Sequence, residues 1–377
     1  MKGFGCAMGQ TRAQIAVSWA IFLGLWGTAL GCGRLQVTRI NSSEQKPNNV
    51  WIFFTVEKGD EPVGGLSSKQ FEIYEDERLV SEFESKQTIQ NPDVAAVMYT
   101  MLLLDMSGSV TESGQADSLV DAAKLFSDRV GKSQKVGVYA FDGDEKIHSV
   151  VPFTEAQGSV EGGLEGLRSY HAKDPSTNLY GAIINGIKEL KEALDKDPKP
   201  LKFGTLVVFS DGTDRAARFT RDEMREELAK EEYRHYEVFA IGVGAEMSQG
   251  ELQDIGRDGT EQAADRAKIQ ESFEKVAQRI ESHMKRFYLL SYCTPSRERT
   301  HTVRIKAVVE DEENGKPSGT GSLEYQFDAT GFGPPPECNP ERPPNFRLDD
   351  VEIPGDEEEP HKSPHSANRS SKKSLNK

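Results

Sequence analysis

Asp105-Met106-Ser107-Gly108-Ser109 puts a carboxylate and two hydroxyls on alternate residues, so a short loop can turn all three towards one point. Thr177 stands in Ser176-Thr177-Asn178-Leu179-Tyr180-Gly181, and Asp211 in Ser210-Asp211-Gly212. Two carboxylates and three hydroxyls make a set of hard oxygen donors. Mg²⁺ favours such donors in octahedral coordination and keeps several waters; Mn²⁺ fits the same set, whereas Zn²⁺ prefers His or Cys. Each residue alone has a plainer role. Asp105 can cap a helix, Ser107 and Ser109 can satisfy a tight loop, and Asp211 can start an Asx-turn. All five together point to a metal.

Nearby acids and histidines add little. Asp142 and Asp144 fall in a short turn and read as solvated, and Asp214 is not counted as a ligand. His148, His171, His235, His283 and His301 share no metal-ligand spacing. The chain has no G-x-S-x-G elbow, no H-E-x-x-H and no P-loop, and no motif places a histidine beside Ser107. The expected protein is therefore not an enzyme, with a hydrolase as the weakest alternative.

The elements that must hold these residues are legible. Residues 97–104 (VMYTMLLL) form a continuous apolar run, as in a strand buried on both faces. Asp105 follows it directly. Leu119, Ala122, Ala123, Phe126 and Val130 are spaced for a helix. Residues 135–141 and 147–153 read as a hairpin turning at 142–145. Leu179, Ile183, Ile187, Leu190 and Leu194 stripe a helix over 178–194. Strands are expected at 203–209, just before Asp211, and at 236–243. Thr220 with Glu223 forms a capping-box pattern for a helix over 220–233. A further helix covers 269–283, and 256–265 is polar enough that any strand there is weak. Strands alternating with helices imply an α/β domain, a Rossmann-like doubly wound, mostly parallel sheet, over residues 93–285. Ligands of such sheets bind beyond the carboxyl ends of the strands. The flanks 50–92 and 286–330 are β-rich. They are expected to pack as a small β-sandwich into which the α/β domain is inserted.

Asp105-x-Ser107-x-Ser109, Thr177 and Asp211, in this order and setting, resemble the metal-ion-dependent adhesion site of the von Willebrand factor A family. The resemblance covers about residues 97 to 285. The segment 71–76 (FEIYED) and the β-rich stretch after 285 are similar to a bacterial subgroup of that family. The resemblance implies that Ser107, Ser109 and, in one state, Thr177 touch the ion, while Asp105 and Asp211 act largely through water. The ion then keeps charge to spare for a carboxylate from a protein partner presenting Asp or Glu. In the family, shifts of the last helix can couple to the site. The implied function is a metal-dependent adhesion or scaffold module; a metal-independent structural subunit of an envelope complex is the alternative.

The N-terminus reads as an address. Lys2 and Arg12 precede an uncharged stretch, 15–30, shorter than the roughly 20 residues a membrane span needs. Ala29-Leu30-Gly31-Cys32 resembles a bacterial lipobox, with Ala29 where Leu is usual and Leu30 where a small residue is usual. Residues 1–31 are thus expected to be a signal peptide and Cys32 the lipidated residue; ordinary cleavage nearby and an uncleaved anchor are the alternatives. The expected location is the bacterial cell envelope, lipid-anchored at the periplasmic or outer-membrane face. In that oxidising compartment Cys293 and Cys338 either pair or remain two free thiols. Residues 33–49 read as a polar tether. Residues 331–377, with Pro334-Pro335-Pro336 and blocks of acidic and basic residues, read as a disordered tail. The triplets at Asn41 and Asn368 read as chance matches to a glycosylation signal. A net charge of −15 argues against nucleic acid as a partner.

Overall fold

The computed structural model describes residues 33–59, 61–155, 157–310, 317–333 and 337–346. The leader, Cys32 and residues 347–377 lie outside the described residues.

The N-terminal flank holds β1 (Gly33–Arg34), β2 (Gln36–Gln45), β3 (Asn49–Lys58), β4 (Glu61–Pro62), β5 (Phe71–Glu75), β6 (Arg78–Leu79), the short helix α1 (Glu82–Ser85) and β7 (Thr88–Gln90). The central unit runs through β8 (Ala96–Asp105), α2 (Gly108–Glu112), α3 (Ala116–Val130), β9 (Lys135–Phe141), β10 (His148–Thr154), α4 (Gln157–Gly166) and α5 (Leu179–Asp195). It continues through β11 (Leu201–Ser210), α6 (Arg221–Leu228), β12 (Glu237–Val243), α7 (Gln249–Ile255), β13 (Gly259–Ala263) and α8 (Ile269–Met284). The C-terminal flank holds β14 (Phe287–Cys293), β15 (Thr300–Glu310) and β16 (Pro317–Asp328).

The central sheet has the order β10-β9-β8-β11-β12-β13, parallel except for the β9–β10 hairpin. This is the doubly wound, mostly parallel α/β sheet. The apolar run of β8 is explained by burial on both faces. Leu102 and Leu104 pack with Leu119, Phe126 and Phe273 of α3 and α8, while Met101 and Leu103 pack with Ile183, Ile187 and Leu252 of α5 and α7. From β8 the chain winds one way to β9 and the other way to β11, so the strand order reverses at the β8–β11 pair. Such a switch point opens a crevice beyond the carboxyl ends of the two strands.

The flanks form two facing sheets, β1-β16-β15-β5-β6 and β2-β3-β14-β7, with β4 on β3. β14 pairs with β3 and β15 with β5, so the strands before and after the central unit hydrogen-bond to each other. Ile52, Phe54, Ile73, Leu290, Ile305 and Phe327 fill the space between the sheets. Trp51, Phe53 and Leu289, on the other face, pack against Ala96, Met98 and Leu201 at the amino ends of β8 and β11. Ten residues of β8 then separate the sandwich from the Asp105 end by about 30 Å.

Two polar segments behave differently from expectation. Residues 33–49 are not a free tether, because Gln36–Gln45 is a full strand on the edge of β3. The apolar strand β3 needs partners for its backbone groups, and Leu35, Val37 and Ile40 bury themselves beside it. A register shift between Arg39 and Asn41 breaks the alternation that would have revealed the strand. Residues 337–346 are likewise held rather than loose. Cys338 is disulfide-bonded to Cys293. Asn49 Nδ2 donates to Asn339 O at 2.6 Å, Ser291 Oγ to Pro340 O at 2.6 Å, and Ser43 Oγ to Asn345 O at 2.9 Å. Phe346 closes the strap by burying itself with Phe53 and Phe287. Among the described residues, no helix is long and apolar enough to cross a membrane.

One histidine makes the sandwich pH-sensitive. Asp76 and Glu77, both at positive φ, form the two-residue turn between β5 and β6. Asp76 Oδ2 lies 2.8 Å from Nδ1 of the buried His301, whose Nε2 lies 2.9 Å from the Glu298 carbonyl oxygen. Both ring nitrogens face acceptors, so both must carry protons. Burial pulls His301 towards neutrality, but the bonds to Asp76 and to the Glu298 and Arg297 carbonyls outweigh it and raise its pKa. The folded chain therefore holds this proton more tightly than the unfolded chain does. The contribution is complete below the unfolded value near ~6.5 and is lost as pH rises through the raised folded value. The melting temperature is expected to fall relative to His301→Gln as the pH rises above about 6.5 and through the raised folded value. A pH-independent difference between the two proteins would contradict this.

Candidate metal centre

The apolar lengths of β8 and β11 fix where their polar ends emerge. Phe209 pairs with Leu104 in parallel register, so Asp105 and the Ser210-Asp211-Gly212 turn leave the sheet side by side. Asp105 is fully buried. Its Oδ1 accepts the Ser107 N–H at 2.9 Å and its Oδ2 accepts the Ser210 hydroxyl at 2.6 Å. This turns the Asp105 loop so that Ser107 stands just before α2, its hydroxyl free of any capping bond, and Ser109 points to the neighbouring strand end. Ser107 Oγ and Ser109 Oγ are 3.2 Å apart, and Ser109 Oγ donates to Asp211 Oδ1 at 2.8 Å. The Gln115 amide holds the other Asp211 oxygen at 3.3 Å.

Thr177 arrives from the loop before α5. It is buried, and its carbonyl accepts the N–H groups of Arg215 and Ala216 at 2.9 and 3.0 Å, beside the Asp211 turn. Gly108 donates its N–H to Pro175 O at 2.9 Å. A Cβ on Gly108 would stand 3.0 Å from the Pro175 side chain, so glycine lets the two loops touch. The structure thus joins Asp105, Ser107, Ser109 and Asp211 in one hydrogen-bonded group, with Thr177 in the adjoining wall. The Thr177 hydroxyl is not hydrogen-bonded to the other four.

The group is electrostatically unbalanced. Burial pushes Asp105 up to about 6, against the bonds from Ser210 and Ser107, and the Asp211 charge adds to the rise. Asp211 is raised too, first by burial and further by Glu246, while Ser109 opposes. Neither carboxylate forms an ion pair among the described residues. Two acids without a basic partner are what a bound cation would correct. Adjacent ligands of an octahedral ion bound at 2.0–2.1 Å lie about 2.9 Å apart, close to the Ser107–Ser109 separation of 3.2 Å. The residues therefore fit a small hard cation. Among the described residues, no three His, Cys, Asp or Glu side chains form a metal-holding cluster, so this centre depends on hydroxyls.

Asp142 departs from expectation. It is not solvated in its turn but fully buried, accepting bonds from Tyr170 OH, Lys173 N–H and Asp144 N–H. Asp214 binds the Tyr180 N–H at the start of α5 and the Ala217 N–H. Sequence reading also missed Ser210 and Gln115. Ser210 adjoins Asp211, which was a usable hint; nothing local marks Gln115.

Residues 100–213 match the family model described as von Willebrand factor type A domain, a stretch that contains all five candidate residues. No curated protein sequence matches the chain. Solved structures give fold-level likeness. Proximal thread matrix protein 1 from the mussel byssus, with zinc in its MIDAS motif, is 15% identical with a TM-score of 0.41, over 48% of each chain. This chain therefore spans about half the length of that protein. A von Willebrand factor type A protein from Catenulispora acidiphila is 11% identical, TM-score 0.41, over 77% of this chain and 72% of that one. The corresponding domain of the type V pili tip protein Mfa5 from Porphyromonas gingivalis is 10% identical, TM-score 0.41, over 51% of this chain and 97% of that one.

Proposed function

We propose that the central unit is a divalent-cation-dependent protein-binding module, carried on an envelope lipoprotein anchored through Cys32. Mg²⁺ or Mn²⁺ would be held by Ser107, Ser109 and Thr177, with Asp105 and Asp211 balancing its charge. The bound cation supplies an electrophilic centre for an Asp or Glu side chain of a partner protein. The observation that carries this reading is the Ser107–Ser109–Asp211 chain of oxygens at the β8–β11 switch point, beside a buried Asp105 with no basic partner. The chain's residues do the rest. Ser210 and the Ser107 N–H hold Asp105 still, and Gln115 holds Asp211.

One observation favours a metal-independent structural role. Ser109 already spends its hydroxyl on Asp211, so the group can close on itself. A pull-down separates the two readings. The full chain, offered a library of Asp- and Glu-containing peptides on beads, is expected to retain ligands in Mg²⁺ and release them in EDTA. Ser109→Ala is expected to weaken retention at least tenfold, a loss of about 1.4 kcal/mol or more. Retention that ignores EDTA would leave the structural reading standing.

A further inference from the structure

We infer that Asp142 is a positioning residue for the metal centre: it clamps the loop 170–178, and with it Thr177, against the ends of β8 and β11. This rests on the metal-binding reading above.

Asp142 follows β9, the strand beside β8, and so leaves the same edge of the sheet as Asp105. Its carboxylate is spent wholly on neighbouring loops. Oδ2 accepts the Tyr170 hydroxyl at 3.0 Å and the Lys173 N–H at 2.9 Å, and Oδ1 accepts the Asp144 N–H at 2.8 Å. Its backbone carbonyl accepts the Asn178 N–H at 3.0 Å. One residue thus holds the start, middle and end of the 170–178 loop.

The turn after it completes the clamp. Gly143 donates its N–H to Asp174 O at 3.0 Å, and a Cβ there would stand 2.2 Å from Ser176 Oγ, so only glycine permits the approach. The Asn178 amide donates to Asp144 O at 2.8 Å, and Arg218 Nε to Gly143 O at 2.8 Å. The clamped loop in turn meets the metal-site loops through Gly108 to Pro175 and through Arg215 and Ala216 to Thr177. A buried carboxylate accepting several N–H and O–H bonds holds its donors more firmly than a neutral group can. Residues that orient a metal's ligands commonly change affinity by about 10–100-fold when replaced.

The test uses the full chain with Mg²⁺ and Mn²⁺ as probes. Asp142→Asn keeps the shape but sets an amide N–H against one of the donors it should accept. It is expected to speed amide exchange at Lys173 and Asn178 in metal-free buffer, and to weaken cation binding about 10–100-fold by calorimetry. Tyr170→Phe removes one bond and is expected to give a smaller shift in the same direction, about three- to tenfold. It serves alone if the Asn variant does not fold. Unchanged exchange at Lys173 and Asn178 in whichever variant folds overturns the clamp. So does faster exchange with unchanged cation affinity. If the unsubstituted chain binds no cation, the metal reading fails, and the inference that rests on it falls with it.

Discussion

In metal-free buffer at about pH 7.5, Asp105→Asn is expected to melt several degrees above the unsubstituted chain, and saturating Mg²⁺ is expected to invert that order. The amide fits the site. Its oxygen can still accept the Ser107 N–H. Its N–H can donate to Ser210 Oγ, whose own proton then goes to Gly212 O, 3.0 Å away. What is removed is a fully buried charge whose pKa stands at about 6, against ~3.9 for a free aspartate, a difference of about 3 kcal/mol. The sign follows from proton counts. Between about pH 4 and pH 6 the folded chain holds a proton that the unfolded chain has released, so stability falls as pH rises through that window and stays lower above it. The substitution removes this penalty, so its advantage grows from about pH 4 to pH 6 and is already in full at pH 7.5. A cation compensates the same charge. At a thousandfold excess over its dissociation constant it adds about 4.1 kcal/mol to the native state, more than the penalty it offsets. Asp105→Asn should gain little of that. Identical melting of the unsubstituted chain in Mg²⁺ and in EDTA would remove the metal from the account. A variant less stable in EDTA would show that Asp105 is not an uncompensated charge.

The centre was legible where strand physics decides. A strand buried on both faces is largely apolar, so its end is marked by the first acid, Asp105 as the last residue of β8 and Asp211 just after β11. Parallel pairing then sets those two ends side by side. Asp142 was misread because an acid in a four-residue polar turn looks solvated. It is buried by a loop whose contacts begin 28 residues later, at Tyr170. The edge strands β2 and β13 and the helix α4 were obscure for related reasons. β2 carries a register shift. β13 is polar and gets its order from pairing with β12. α4 contains four glycines, which dilute any helical pattern. The strap 337–346 is held by side chains far back in the chain, which no local pattern records.

That strap carries the second large effect. Replacing Cys293 and Cys338 with Ser is expected to destabilise the chain by about 4 kcal/mol, because the bridge closes a loop of 45 residues whose ends are otherwise free when unfolded. The loss should be local before it is global. Without the bridge, residues 339–346 keep the bonds from Asn49, Gln90, Ser291 and Ser43 and the packing of Phe346. Amide exchange should therefore rise first in β3 and β14, which the strap touches, at denaturant concentrations that leave the central sheet protected. The aromatic packing of Phe53, Phe287 and Phe203 sits beneath Phe346 and joins the sandwich to the amino ends of β8 and β11. The Asp105 end of β8 lies about 30 Å away, so the Mg²⁺-induced rise in melting temperature should persist in the double variant while the baseline falls. If the bridge-free chain instead loses its response to Mg²⁺, the sandwich and the metal edge are coupled through β8, and the strap acts on the site as well as on stability.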